Sequence, residues 1–296
     1  MKIAQPRLSI AADSLPRMPS WVTSGRAETP ETVAFLSGAA LSHLHLVLAQ
    51  ADVPQALLRA RLALRAAERA MARTGRPERA ADLRDAVQFL QPGALPGPAG
   101  DTYLSWRRAV QRPVSITALH RALPACAPDQ IASWLDAGTG APIARAAQVL
   151  ETVLADTPRA EVPGLILADA ALSQALGWRN AVPLLSTGLK RTDLRKRGAD
   201  LRLACHHAVK TSAVEITRLA IDLARRVAHL NAVAPKLRAK GARAGVEMFL
   251  TLDAVTPAAL VSLNSDRAAR RFCDRLIDLG AVRELSGRDT FRLYGV

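Results

Sequence analysis

From Asp200 to Asn231 the chain contains neither proline nor glycine. Leu203, Ala213, Ile216, Leu219, Ala220, Leu223 and Val227 mark one buried side of that run when it is wound as an α-helix. Pro235 breaks the pattern, because its ring removes a backbone donor and crowds the preceding turn. A chain with such a run is committed to packing helices against helices.

The composition points the same way. Hydrophobic residues make up 49% of the chain and aromatics only 4%, so the core is built from Ala, Leu and Val. Ala, Leu and Arg are strong helix formers. Thr29-Pro30 reads as a helix cap and first turn, opening a helix to about Gln50 with Val33, Leu36, Ala40, Leu44 and Val47 on its apolar side. Gln55 to Arg73 is a second helix, in which Leu57, Leu58, Leu62 and Leu64 alternate with Arg59, Arg61, Arg65 and Arg69. A third runs from Pro77 to about Leu90. Gln91 to Gly100 holds three prolines and three glycines and reads as a connection between helical parts. Shorter helices follow at Tyr103–Gln111, Ser115–Leu123, Asp129–Ala137, Ile143–Ala155 and Leu165–Leu176. No fixed-period repeat is visible, so an irregular multi-helix bundle is expected rather than a solenoid. Met1 to Glu28 has no periodicity and reads as a flexible arm.

The formal net charge is +14, unevenly spread. From Lys190 onward there are 21 Lys and Arg against 11 Asp and Glu, whereas the earlier residues carry 19 against 15. A basic half suits a polyanionic partner, because each neutralised phosphate releases a condensed counterion. Arg-rich faces that merely keep the chain soluble are the plainer explanation. Cys126, Cys205 and Cys273 are widely spaced and odd in number, which implies free thiols in a reducing compartment. The first residues lack a signal-peptide pattern, and no run approaches the ~18 apolar residues of a membrane span. A cytoplasmic protein without a membrane partner is expected.

The last stretch changes character. Val246, Phe249 and Leu250 give a first helix its apolar face, Thr256-Pro257 opens a short second one ending near Leu263, and Ser265 caps a third running to about Leu279. Ala268, Phe272, Leu276 and Leu279 form its buried stripe, and Gly280 stops it. Val282–Leu285 and Thr290–Tyr294 then read as a β-hairpin around Ser286-Gly287-Arg288-Asp289, with Phe291 and Leu293 facing one way and Arg292 and Tyr294 the other. Three helices followed by a hairpin is the order of a winged helix, whose third helix enters a DNA major groove. The expected fold is therefore mainly α: a flexible arm (1–28), an all-α body (29–233) and a winged-helix-like unit (234–296).

The charges suit that placement. Arg267, Arg270, Arg271 and Arg275 lie on the third helix, Arg292 on a strand, Arg288 at the wing tip, and Lys236, Arg238 and Lys240 just upstream. Together with Ser265 these are the candidate DNA contacts, through which DNA is the expected partner. Two other readings stand beside it. Arg270 precedes Asp274 by four residues, a spacing that often only decorates a solvated face. The unit could equally dock a protein, which would make the chain a non-enzymatic adaptor.

The strings AVAPKLRAKGA (Ala232 to Ala242) and SDRAARRFCDRLIDLGAVRELSGRDTFRLYGV (Ser265 to Val296) resemble an uncharacterised bacterial family, the domain-of-unknown-function family 1403. GPAGDTYLSWRR (Gly97 to Arg108) and Leu176-Gly177-Trp178 resemble its middle portion. The resemblance runs from about Phe35 onward and implies a bacterial protein often carried on plasmids. It implies no activity, cofactor or catalytic residue, so the DNA reading rests on the residues themselves.

Enzymatic motifs do not emerge. Neither GxxxxGK[ST] nor GxSxG occurs. Cys205-His206-His207 are adjacent on a helix and cannot converge on one ion, so neither a metal nor another cofactor is expected. His43 and His45, two apart in a helix, read as packed or partly exposed. Asp169, inside an apolar segment, is expected to pair with an arginine, and Glu215 and Asp222 to pair with Arg218, Arg225 and Arg226. Lys190, Arg191, Arg195, Lys196 and Arg197 make a basic loop that is either a second phosphate patch or a solvated connection.

Overall fold

Apolar helix faces find one another throughout the computed structural model, which describes residues 15–25, 29–286 and 290–296. The helices, in chain order, are α1 (Ser20–Ser24), α2 (Pro30–Leu48), α3 (Gln55–Arg73), α4 (Ala80–Gln88), α5 (Gly97–Gln111), α6 (Ile116–Ala122) and α7 (Pro128–Asp136). They continue with α8 (Pro142–Asp156), α9 (Glu161–Ala175), α10 (Leu185–Gly188), α11 (Gly198–Val233), α12 (Ala242–Thr251) and α13 (Asp266–Asp278). β1 (Arg283–Glu284) and β2 (Tyr294–Gly295) form an antiparallel pair near the end. The protein is mainly helical.

Helix α9 is the centre. Every residue from Gly164 to Ser173 is buried, so this helix is covered on all sides and packs chiefly on α8. The proline-free run forms α11, which extends beyond its expected limits and lies along α2, α8 and α10. Of its expected stripe, Ala213, Ile216, Ala220 and Leu223 are buried, whereas Leu203, Leu219 and Val227 are half-buried. Helix α2 opens as expected, with Thr29 Oγ1 accepting from Thr32 N at 3.2 Å and Pro30 in the first turn. Its Val33, Leu36, Ala40, Leu44 and Val47 are all buried.

The short α10 exists because two buried polar side chains, Asp169 and Arg73, bracket it. Asp169 Oδ1 accepts from Leu184 N (3.0 Å) and Leu185 N (2.7 Å), and Oδ2 from Ser186 N (3.1 Å). On the other side the Arg73 guanidinium donates to Ser186 O at 2.7 Å. A side chain at Gly188 is sterically forbidden, since its Cβ would sit 2.6 Å from Ala208 O on α11.

Several expectations are corrected. Within the supposed arm, α1 packs on α2, Leu15 and Val22 are buried, and Gly25 O accepts from Lys210 Nζ at 2.8 Å. The Pro/Gly connection is shorter than expected, because Gly97 to Gly100 form the first turn of α5, where a proline lacks nothing the helix needs. The third helix starts at Ala80, where Asp82 accepts from Arg79 N at 2.8 Å. The expected helix after Thr256 is two single 3-10 turns, Pro257–Ala259 and Val261–Leu263. Among the described residues α2 is long and apolar enough to cross a membrane by length and composition, so the expectation that no run approaches a span overlooked it. Its apolar stripe is packed on α11.

The last part of the chain shares one continuous hydrophobic core with the helical body. A buried ion cluster sits at the seam. Asp253, just after α12, lies with Oδ1 2.8 Å from Arg61 Nε of α3 and Oδ2 2.6 Å from Arg84 Nε of α4. Arg61 Nη2 also donates to Val296 O at 2.9 Å. All three charged side chains are more than nine-tenths buried. Replacing Asp253 by Ala leaves two guanidinium groups in the interior without a counter-charge. We expect a loss of about 3–5 kcal/mol in urea unfolding; a loss below about 1 kcal/mol would show that the cluster is solvated.

Candidate nucleic-acid interface

The basic helix is built as its sequence demands. Ser265 Oγ accepts from Ala268 N at 3.2 Å, closing the first turn of α13. Gly280 takes a left-handed conformation (φ 66°) just beyond its end. Ala269, Phe272, Cys273 and Leu276 are buried, while Ala268 and Leu279, expected in the stripe, are half-buried at its margins. Phe272 fixes the distance to α12, where a Cβ on Gly245 would meet its ring at 2.9 Å. The far end of α11 props the other terminus of α13, with His229 Nε2–H donating to Leu279 O at 2.9 Å.

That burial leaves the opposite face to solvent. Arg267, Arg270, Arg271 and Arg275 are all exposed. None forms an ion pair among the described residues, so the Arg270–Asp274 pair allowed by their spacing is not made. The helix also carries Asp266, Asp274 and Asp278, all exposed, so four arginines are set against three aspartates. Net attraction for a polyanion therefore depends on neighbouring cations. Lys236, Arg238 and Lys240 are exposed on the approach to α12, and Arg243 on that helix joins them; the sequence reading missed this last residue.

Beside α13, Arg283 pairs with Gly295 and Glu284 with Tyr294, and Leu285 N donates to Leu293 O at 2.7 Å. Val255 joins from the other edge, exchanging two backbone hydrogen bonds with Tyr294 at 2.8 and 2.9 Å. The expected strands are thus shorter than their sequence runs, and the expected alternation fails. Leu293 and Tyr294 are both buried, while Phe291 is 71% exposed. Phe291 has a positive φ of 55°, which turns the chain and resets the facing of the residues after it. Arg292 is half-buried with Nε 3.7 Å from Glu284 Oε2. Arg288 lies outside the described residues. The Arg283 guanidinium is held below its usual range, first by burial and then by Arg226 and Arg84.

Elsewhere some of the groups singled out in the sequence have structural partners. All three cysteines are unpaired and buried. His45 Nδ1 accepts from Trp178 Nε1 at 2.8 Å, and His43 Nε2 lies 3.0 Å from Pro16 O. In the basic loop Lys196 pairs with Asp193 at 2.6 Å, while Lys190, Arg191, Arg195 and Arg197 are exposed. Asp222 pairs with Arg226 at 2.9 Å. Asp169 differs from its expectation: backbone N–H groups hold it rather than an arginine, because the first turn of α10 needs acceptors there.

Taken together, the molecule is a mainly helical protein with an exposed row of arginines, none in an ion pair, on a helix near its C-terminal end. The chain belongs to the family described as protein of unknown function (DUF1403), whose model matches residues 7–296. No curated protein matches it.

Burial pushes the Asp169 carboxyl up to about 7, against the opposing pull of its N–H donors. The unfolded chain releases that proton near pH ~4. Between those values the folded state binds the extra proton, so the stabilisation from this residue falls as pH rises through the window. Asp169→Asn sets an amide N–H against one of the backbone donors and is expected to cost about 1–3 kcal/mol near pH 5. By pH 8 that difference should narrow. Denaturation at the two pH values checks this, and a gap that widens with pH would show that the hydrogen bonds outweigh burial.

Proposed function

We propose that this is a non-catalytic, cytoplasmic DNA-binding protein whose C-terminal unit works as a winged helix. The observation that carries the reading is the row of exposed, unpaired arginines on α13, Arg267, Arg270, Arg271 and Arg275, beside a β-pair. The order of elements supports it: α12, an extended residue at Val255, two tight turns, α13, then two paired strands, with Val255 hydrogen-bonded to Tyr294. In this reading α13 enters the major groove and its arginines meet base edges and phosphates. Ser265 serves as the cap that sets the helix start. Lys236, Arg238 and Lys240 add phosphate contacts along the flank, and Arg288, which falls between the two strands in sequence, adds a backbone contact. Arg292, with Glu284 beside it, holds the strand more than the DNA.

Exposed arginines are replaceable without cost to the core. The triple variant Arg267→Ala, Arg270→Ala, Arg271→Ala should keep the helical circular dichroism of the parent. Its retardation of duplex DNA at moderate salt should be lost, and the slope of log affinity against log salt should shrink by about three, one for each lost phosphate contact. Unchanged affinity and slope would remove the DNA reading.

A protein-docking role has one observation in its favour. On the helical body Trp21 stacks on Phe35 at 5.6 Å, and both rings are at least half exposed, with Leu46 also exposed on α2. An adaptor would leave duplex DNA unretarded at physiological salt and would lose its protein partner on Phe35→Ala.

A further inference from the structure

A recess of about 540 Å³ opens along α2, lined in part by His45 and Leu46. Its walls are α2, the start of α8, the end of α9 and the first third of α11 at His206, and most of the lining is apolar, including Leu41, Ile143 and Leu176. That volume is in the range of small-molecule sites, which pair an apolar wall with a few placed polar groups. Gly38 stands at the recess with no heavy atom within 4 Å of where its Cβ would be, so the space beside it is open.

The polar groups are fixed in a way that reads out a ligand preference. Ser37 on α2 is fully buried, and its Oγ lies 2.9 Å from Ala34 O and 2.7 Å from His206 Nδ1. A hydroxyl has one proton, and a carbonyl oxygen can only accept. Both contacts are satisfied together when Ser37 donates to Ala34 O and accepts from His206 Nδ1–H. The neutral imidazole then carries its lone pair on Nε2, which has no hydrogen-bond partner among the described residues. Burial, Arg202 and His207 all push the His206 pKa down, which keeps the ring neutral at pH 7.

We propose that this recess binds a small, uncharged molecule with an apolar body and one hydroxyl, a neutral alcohol or phenol, whose O–H donates to His206 Nε2. Apolar burial supplies the affinity and the imidazole acceptor the selectivity. A cation has no counter-charge there, and a molecule without a donor leaves Nε2 dry and unpaired.

The test uses the full chain with 2-naphthol and naphthalene as matched probes, titrated by fluorescence at pH 7.5. The expected result is saturable binding at one site, with 2-naphthol roughly 5–10-fold tighter, the worth of one neutral hydrogen bond. His206→Phe should keep naphthalene binding and bring the two probes within about twofold of each other. Gly38→Leu places a side chain in the open space and favours the helix, so both probes should lose binding while the thermal midpoint holds. Equal affinity of the two probes, absence of saturable binding, or indifference to Gly38→Leu overturns the proposal. So does a self-association that Gly38→Leu abolishes without any probe binding, which would assign the recess to a second copy of the chain.

Discussion

A buried ion cluster centred on one carboxylate fixes where the C-terminal unit sits on the helical body, within the core they share. Asp253 faces Arg61 from α3 and Arg84 from α4, and it is buried. An isolated charge in such a place is too costly to persist, and a pair is favourable only when its geometry and remaining hydrogen bonds are good. Here Arg84 bonds both carboxylate oxygens, at 2.6 and 3.3 Å, and Arg61 reaches the backbone at Val296 as well. Desolvation lowers the Arg61 pKa while Asp253 pulls it back up. Hydrophobic contact alone would let the unit slide over the bundle, because apolar attraction has no direction. The ion cluster gives it one seat. With α12 fixed at that seat and α13 packed on α12 through Phe272, the outward direction of the arginine row follows.

The same device recurs inside the body. Asp169 and Arg73 hold the ends of α10, four residues too short to be stable alone. Burial holds the Arg73 guanidinium down to about 10, with Glu161 and Asp169 drawing it upward. In an aromatic-poor, Ala-rich core, where many helix faces look alike, such buried polar contacts select one arrangement among several of similar apolar area. At the recess beside Ser37 and His206 one ring nitrogen, His206 Nε2, has no hydrogen-bond partner among the described residues.

Local physics made much of this readable in advance. Helix α3 runs from Gln55 to Arg73 as its periodicity requires, and α13 starts at its serine cap and stops at its glycine because caps act within one turn. Distant partners were not readable. Arg61 stands in a row with Arg59, Arg65 and Arg69 and looks solvated like them, yet the backbone it reaches at Asp253 is 192 positions away. Helix α10 has no period to detect. The facing of Leu293 and Tyr294 was misread because strand alternation assumes ordinary φ values, which Phe291 does not have. In the candidate interface the exposed arginines were foreseen from spacing alone, whereas the engagement of Arg292 with Glu284 depends on hairpin register.

The seat at Asp253 is best tested by native-state amide hydrogen exchange on the unmodified protein. If the ion cluster makes the C-terminal unit part of the bundle, the inner amides of α12 and α13 open with the same free energy as those of α3. Exchange of α12 and α13 well before α3, as a separate unfolding unit, would contradict a fixed seat and with it the fixed direction of the arginine face.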